Sequence, residues 1–136
     1  MKVLVVGAGG FIGGAIVEAL CFSGVEVIAG FRSWSSAARL GRLPVAKVRL
    51  DVEDPATLGE IPEDVDAIVN CAVGSEDTNV KGPRHLIAHA RGMPNMTSFV
   101  HLSTVDVYGD CEGVVAESTP MKKTGVAYGD SKVDGE

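Results

Sequence analysis

The chain has 136 residues, 46% hydrophobic and 22% charged, with a formal net charge of −6. That is the length of one domain, able to bury about two-thirds of its unfolded surface, and the composition excludes disorder. An acidic balance without any Lys/Arg run excludes a nucleic-acid surface, so the phosphates this protein handles belong to a small ligand. No stretch reaches transmembrane length, and the glycines that follow the apolar start, with Glu18 after them, argue against a secretory signal. Cys21, Cys71 and Cys111 are odd in number and lack a C-x-x-C arrangement. They read as reduced thiols of a cytoplasmic protein.

The first stretch, MKVLVVGAGGFIGG, opens with Val3 to Val6, the continuous apolar run of a strand buried on both faces. Glycines at 7, 10 and 13 follow, and then Phe11, Ile12, Ala15, Ile16, Ala19 and Leu20 recur at helical spacing up to the stop at Ser23-Gly24. Strand, glycine turn and helix start together make a diphosphate cradle: one glycine bends the chain, one admits the ligand, and one lets helix and strand pack closely.

Further along, Val25–Phe31 reads as a second strand and Ala46–Leu50 as a third, with a polar loop at Ser33–Pro44 holding one helical turn around Ala37–Leu40. Asp54–Gly59 is expected to form a short helix, capped by Asp54 with Pro55 in first position. Asp66–Cys71 is the fourth strand, Pro83–Arg91 a helix ended by Gly92, and Ser98–Leu102 the fifth strand. Alternating strands and helices imply right-handed crossovers and a doubly wound α/β parallel sheet, order 3-2-1-4-5, with ligand at the carboxyl ends of strands 1 and 4.

The spacing G-x-x-G-x-x-G at Gly7, Gly10 and Gly13 resembles the extended short-chain dehydrogenase/reductase family, which includes nucleotide-sugar epimerases and dehydratases. The resemblance continues through Asp51-Val52, Asn70-Cys71-Ala72, Asn79-Val80-x-Gly82, the segment Ser103-Thr104-x-x-Val107-Tyr108-Gly109, Glu117 to Pro120, and Tyr128-x-x-x-Lys132 with Glu136. It covers residues 1 to 136 and implies one NAD(P)-binding Rossmann domain, stopping before the family's last strands and substrate region. Asp51 and Val52 would hold the adenine edge, while Asn70, Cys71 and Ala72 would pass under the diphosphate and ribose, with Phe11 and Ile12 beside them in the glycine turn. Tyr128 would be the general acid/base, Lys132 its electrostatic partner and ribose ligand, and Thr104 the donor to the substrate oxygen. Moving a tyrosine from a pKa near 10 to near 7 needs about 4 kcal/mol, the upper limit of what one cation supplies. A positive nicotinamide ring would add to Lys132.

Where an NAD-binding relative would carry an acid after strand 2, this chain has Arg32-Ser33. A carboxylate would repel a 2′-phosphate, whereas Arg32 and Ser33 can hydrogen-bond it, so NADP is favoured over NAD. Arg39 is a second candidate clamp, and Trp34 reads as a packing residue. The expected function is NADP-dependent hydride transfer at a carbinol or carbonyl carbon of a small molecule, such as a nucleotide sugar. The alternatives are a cofactor-binding or redox-sensing module and an inactive fragment. An unpaired edge on strand 5 would invite association, including with a second copy.

Pro83 admits two readings: a helix running through it frees the Asn79 carbonyl for a water path, or Gly82 caps a helix that begins at Pro83. His85 and His89, one turn apart without a third ligand, read as solvated or packing residues, and His101 as a core or strand-end residue.

Overall fold

The computed structural model describes residues 1–136. Strands β1 (Lys2–Val6), β2 (Glu26–Phe31), β3 (Ala46–Arg49), β4 (Ala67–Asn70) and β5 (Ser98–His101) form one sheet in the order β3-β2-β1-β4-β5. Every neighbouring pair is parallel. The expected topology is therefore the observed one, with strand ends differing by a residue.

Alternation along β1 explains its unbroken apolar run. Val3 and Val5 join Val17, Phe31 and Leu40 on one side, while Leu4 and Val6 join Ile28, Leu58, Ile68 and Leu86 on the other. Helix α1 (Phe11–Phe22) supplies Val17 to the first layer and α3 (Glu76–Ala90) supplies Leu86 to the second, so helices cover both faces. Between β2 and β3 the chain makes a short α2 (Trp34–Ala37) and a 3₁₀ turn (Ala38–Arg42), more helical structure than the single turn expected there. Asp54 caps the 3₁₀ turn Pro55–Glu60, its carboxylate accepting from Ala56 N at 3.1 Å. Helix α4 (Ala127–Gly135) packs against α3.

The main correction concerns α3. It starts seven residues before Pro83, because the Ser75 hydroxyl accepts from Thr78 N at 3.0 Å and Glu76 and Asp77 favour the positive end of the helix dipole. Pro83 lies inside the helix, so Gly82 is no cap. Gly82 is instead where α3 meets Val52: a Cβ there would lie 2.7 Å from Val52 Cγ2. Pro83 cannot offer an N–H to the Asn79 carbonyl. That carbonyl lies against the backbone of α4, since a Cβ on Gly135 would stand 2.2 Å from it. The expected opening for water is thus a helix contact.

Candidate functional site

At the carboxyl ends of β1, β2 and β4 the chain leaves a cleft. Gly7 opens it with φ +77°, and a Cβ there would lie 2.8 Å from both Ala72 N and the Cys71 carbonyl carbon. Only glycine lets the turn after β1 pass this close to the segment after β4. Gly13 is buried, and a Cβ on it would stand 2.3 Å from the Gly7 carbonyl oxygen, so α1 begins directly over the strand. Gly10 is the extended N-cap of α1 and has no side chain to satisfy the first amides, which stay available to a ligand oxygen.

Gly7, Gly10, Arg32, Ser33, Asp51, Val52, Cys71 and Ala72 all line this cleft. Eight of the expected cofactor residues are thus brought together by four different strand ends. Gly9, Ser36 and Thr78 line it as well and were not anticipated. The approach of Ser36 is a tertiary contact with no local signature: a Cβ on Gly9 would lie 2.4 Å from the Ser36 carbonyl. Ser33 caps α2, its hydroxyl accepting from Ser36 N at 3.4 Å. Across the rim, Glu53 accepts from the hydroxyls of Ser75, at 2.7 Å, and Thr78, which hold its carboxyl below the usual glutamate range and tie the loop after β3 to the start of α3.

Other expected residues stand apart from the lining. Asn70 is buried under it, with Oδ1 accepting from Ala72 N at 3.1 Å and Nδ2 facing His101 Nδ1 at 3.0 Å. Phe11 and Ile12 are 83% and 54% exposed. Phe11 faces a separate groove that also contains Arg39, so the second candidate clamp parts company with Arg32. Trp34 is largely exposed and tilted against Phe31, ring centroids 4.9 Å apart.

Thr104, Tyr128 and Lys132 all follow β5 in the chain, and none of them lines the cleft. Lys132 is 3% exposed and its ammonium donates to the Leu102 carbonyl at 3.0 Å. Burial holds its pKa below the ordinary lysine value. Its charge reaches Cys71 in the cleft, where it offsets part of the rise that burial imposes on the thiol. Ser131, part of the S-K-x-x-x-E run but given no role by the sequence, donates to the Tyr128 carbonyl at 2.8 Å and accepts from Asn79 Nδ2 at 2.9 Å. Asn79 Oδ1 accepts in turn from Gly74 N at 3.3 Å, so one buried amide fixes α4 to the segment after β4. Thr104 caps the 3₁₀ turn Val105–Tyr108, accepting from Asp106 N at 3.3 Å and donating to the Asp106 carboxylate at 3.2 Å. Ser103 donates to Glu136. His85 Nδ1 donates to the Val52 carbonyl at 2.7 Å, and no group of three His, Cys, Asp or Glu side chains converges as a metal site.

A parallel sheet of this order, with a glycine turn leading from β1 into a helix, defines a doubly wound Rossmann domain. The chain belongs to the NAD dependent epimerase/dehydratase family, whose model matches residues 3–136. No curated protein sequence matches it. Among solved structures it is similar to UDP-glucose 4-epimerase from Thermotoga maritima, with UDP-glucose, at 22% identity and TM-score 0.86 over 99% of this chain and 48% of that one. UDP-glucose 4-epimerase from Bifidobacterium longum, in complex with NAD+ and UDP, aligns at 23% identity and TM-score 0.81 over 98% of this chain and 46% of that one. A short-chain dehydrogenase/reductase superfamily protein from Agrobacterium tumefaciens with bound NAD aligns at 26% identity and TM-score 0.77, over 99% and 43%. The chain thus spans about half the length of these structures. No helix is long and apolar enough to cross a membrane.

Proposed function

We propose that residues 1–136 form the dinucleotide-binding domain of an NADP-dependent oxidoreductase, epimerase or dehydratase acting at a carbinol or carbonyl carbon. The observation that carries this reading is the single cleft joining the Gly7–Gly10 turn, Arg32, Asp51 and Ala72. A dinucleotide fits the donor set: α1 offers uncapped amides for its diphosphate, and Gly7 and Ala72 keep the floor free of bulk. Asp51 and Val52 take the adenine edge, and Arg32 with Ser33 takes the 2′-phosphate. Bound there, the nicotinamide supplies hydride transfer to and from the substrate carbon. UDP-glucose in one similar structure and UDP in another make a nucleotide sugar the preferred substrate class.

The chain's own part in the chemistry is to place a proton and hold it. Tyr128 gives or takes the proton of the substrate oxygen, with Lys132 one helical turn away as its cationic partner. The Leu102 carbonyl fixes that ammonium, and the Asn79–Ser131 pair fixes the helix turn that carries Tyr128. Thr104 steadies the substrate oxygen once its hydroxyl turns from Asp106. The bond between Thr104 and Asp106 favours a second reading, a cofactor-binding module without catalysis, in which that hydroxyl never turns.

Calorimetric titration of the folded chain with NADPH and, separately, NADH tests the proposal. Affinity for NADPH at least about tenfold above that for NADH is expected, a difference of about 1.4 kcal/mol. Equal affinities, or tighter NADH, overturn the NADP assignment. A folded chain that binds neither overturns the domain reading.

A further inference from the structure

Arg49 ends β3 in register with Phe31 of β2, on the outer edge of the sheet. Its side chain turns back along the top of β2, where Nε donates to the Arg32 carbonyl at 3.2 Å. One nitrogen of the fork is thereby pinned, and the two terminal nitrogens stay available beside residue 32. A second cavity opens on this side, lined by Arg32, Arg49, Asp51 and Thr57, and it shares Arg32, Leu50 and Asp51 with the main cleft.

The cavity also contains Asp54 and Glu60, yet none of the chain's ion pairs involves either arginine. Asp51 and Asp54 are turned to their own backbone, accepting from Glu53 N at 3.0 Å and Ala56 N at 3.1 Å. Two guanidinium groups outside any ion pair on one rim, with Asp51 and Asp54 turned to their own backbone, make a site for a doubly charged oxyanion. Three carboxylates share this rim, so Arg32 alone is outweighed there by two charges, and Arg49 cuts that excess to one.

We propose that Arg49 is the second half of a two-arginine clamp on the 2′-phosphate of NADP, with Arg32 as the first. This rests on the NADP reading above and adds to it a residue from β3. The pinned Nε presents the remaining N–H groups in fixed orientation, the geometry in which a guanidinium holds a phosphate through two bonds.

Titration of the unaltered chain and of Arg49→Gln and Arg49→Lys with NADPH and NADH, at low and moderate salt, is the test. Arg49→Gln is expected to weaken NADPH about tenfold while NADH changes less than about twofold, and to reduce the salt dependence of NADPH binding. Arg49→Lys, which keeps the charge and loses the fork, is expected to fall between. If the unaltered chain prefers NADPH and Arg49→Gln leaves that preference intact, the clamp is overturned and the NADP reading stands. Equal losses for both cofactors also overturn it, since Arg49 would then only brace the strand ends. An unaltered chain without preference for NADPH overturns both.

Discussion

The two ends of the site are held together by different means. The cleft at β1, β2 and β4 rests on strands whose central residues Leu4, Val5 and Val6 are at most 1% exposed, and its closest contacts run from backbone to backbone. The end that carries Tyr128 and Lys132 has one such backbone approach, Gly135 on the Asn79 carbonyl, and otherwise hangs from side-chain bonds: Asn79 to Ser131, Lys132 to Leu102, and the exposed Lys123–Asp134 pair at 2.6 Å. Residues 109–126, which lead into α4, contain no helix or strand and are almost all exposed. The shape of the cleft is therefore a property of the sheet. The alignment of the proposed acid/base with it depends on a few polar groups and can be lost separately.

Two glycines separate these cases, and the larger effect belongs to the first. In Gly13→Ala the new methyl would lie 2.3 Å from the Gly7 carbonyl oxygen, a backbone atom that cannot swing aside. Moving α1 off β1 costs about 1–3 kcal/mol as overpacking does, which lowers Tm by roughly 3–12 °C at this chain length. Dinucleotide affinity should fall with it, because the diphosphate cradle is the same backbone. A variant with unchanged Tm and affinity would mean that the cleft yields far more readily than its contacts indicate.

Gly135→Ala is expected to act locally. Its methyl would stand 2.2 Å from the Asn79 carbonyl, but α4 has an open surface on its other side and can lift away. The expected result is a Tm change of a few degrees at most, about 1 kcal/mol or less, with faster hydrogen exchange confined to α4 and cofactor affinity retained. A fall in Tm matching that of Gly13→Ala would join both ends into one cooperative unit.

The same division governs what could be read in advance. β1, β2 and β4 are largely buried and leave apolar runs, while the half-exposed edge strands β3 and β5 were legible as short β-rich segments alternating with helices, as was the glycine turn. The start of α3 was signalled by Ser75 with Glu76 and Asp77, but the proline seven residues on gave a competing boundary. Proline is tolerated there because the carbonyl it leaves without a partner meets a glycine of another helix, a contact 56 positions distant that no local pattern announces. Arg32 and Arg39 look equivalent in the loop after β2, yet the turn of α2 sends them to different grooves. Nothing local marks Arg49 within its strand, since its bond to Arg32 depends on the register of β2 with β3.

The smallest expected effect lies where the two ends meet. Asn70 Oδ1 is committed to Ala72 N, so its Nδ2 donates toward His101, and Nδ1 of that ring must be an acceptor. The proton then sits on Nε2, which is buried without a partner. Burial first, and the charge of Lys132 second, keep the His101 pKa below its ordinary 6.5, with Glu136 pulling the other way. A lowered folded pKa means that the unfolded chain takes up the proton first on acidification. Stability is thus unaffected by this ring above about pH 6.5 and declines as pH falls from there toward the folded value, with no further loss below it. A protonated ring would also face the Asn70 amide donor to donor, so Asn70 must turn and release Ala72 N at the floor of the cleft. Melts and NADPH titrations between pH 7 and pH 5 should therefore show a shallow joint decline, which His101→Gln, neutral and able to accept from Asn70, should flatten. An Nδ1–H tautomer at pH 7, detected by nitrogen NMR, would reverse the argument: Asn70 would then point its oxygen at the ring, and the Ala72 amide would be available to a ligand.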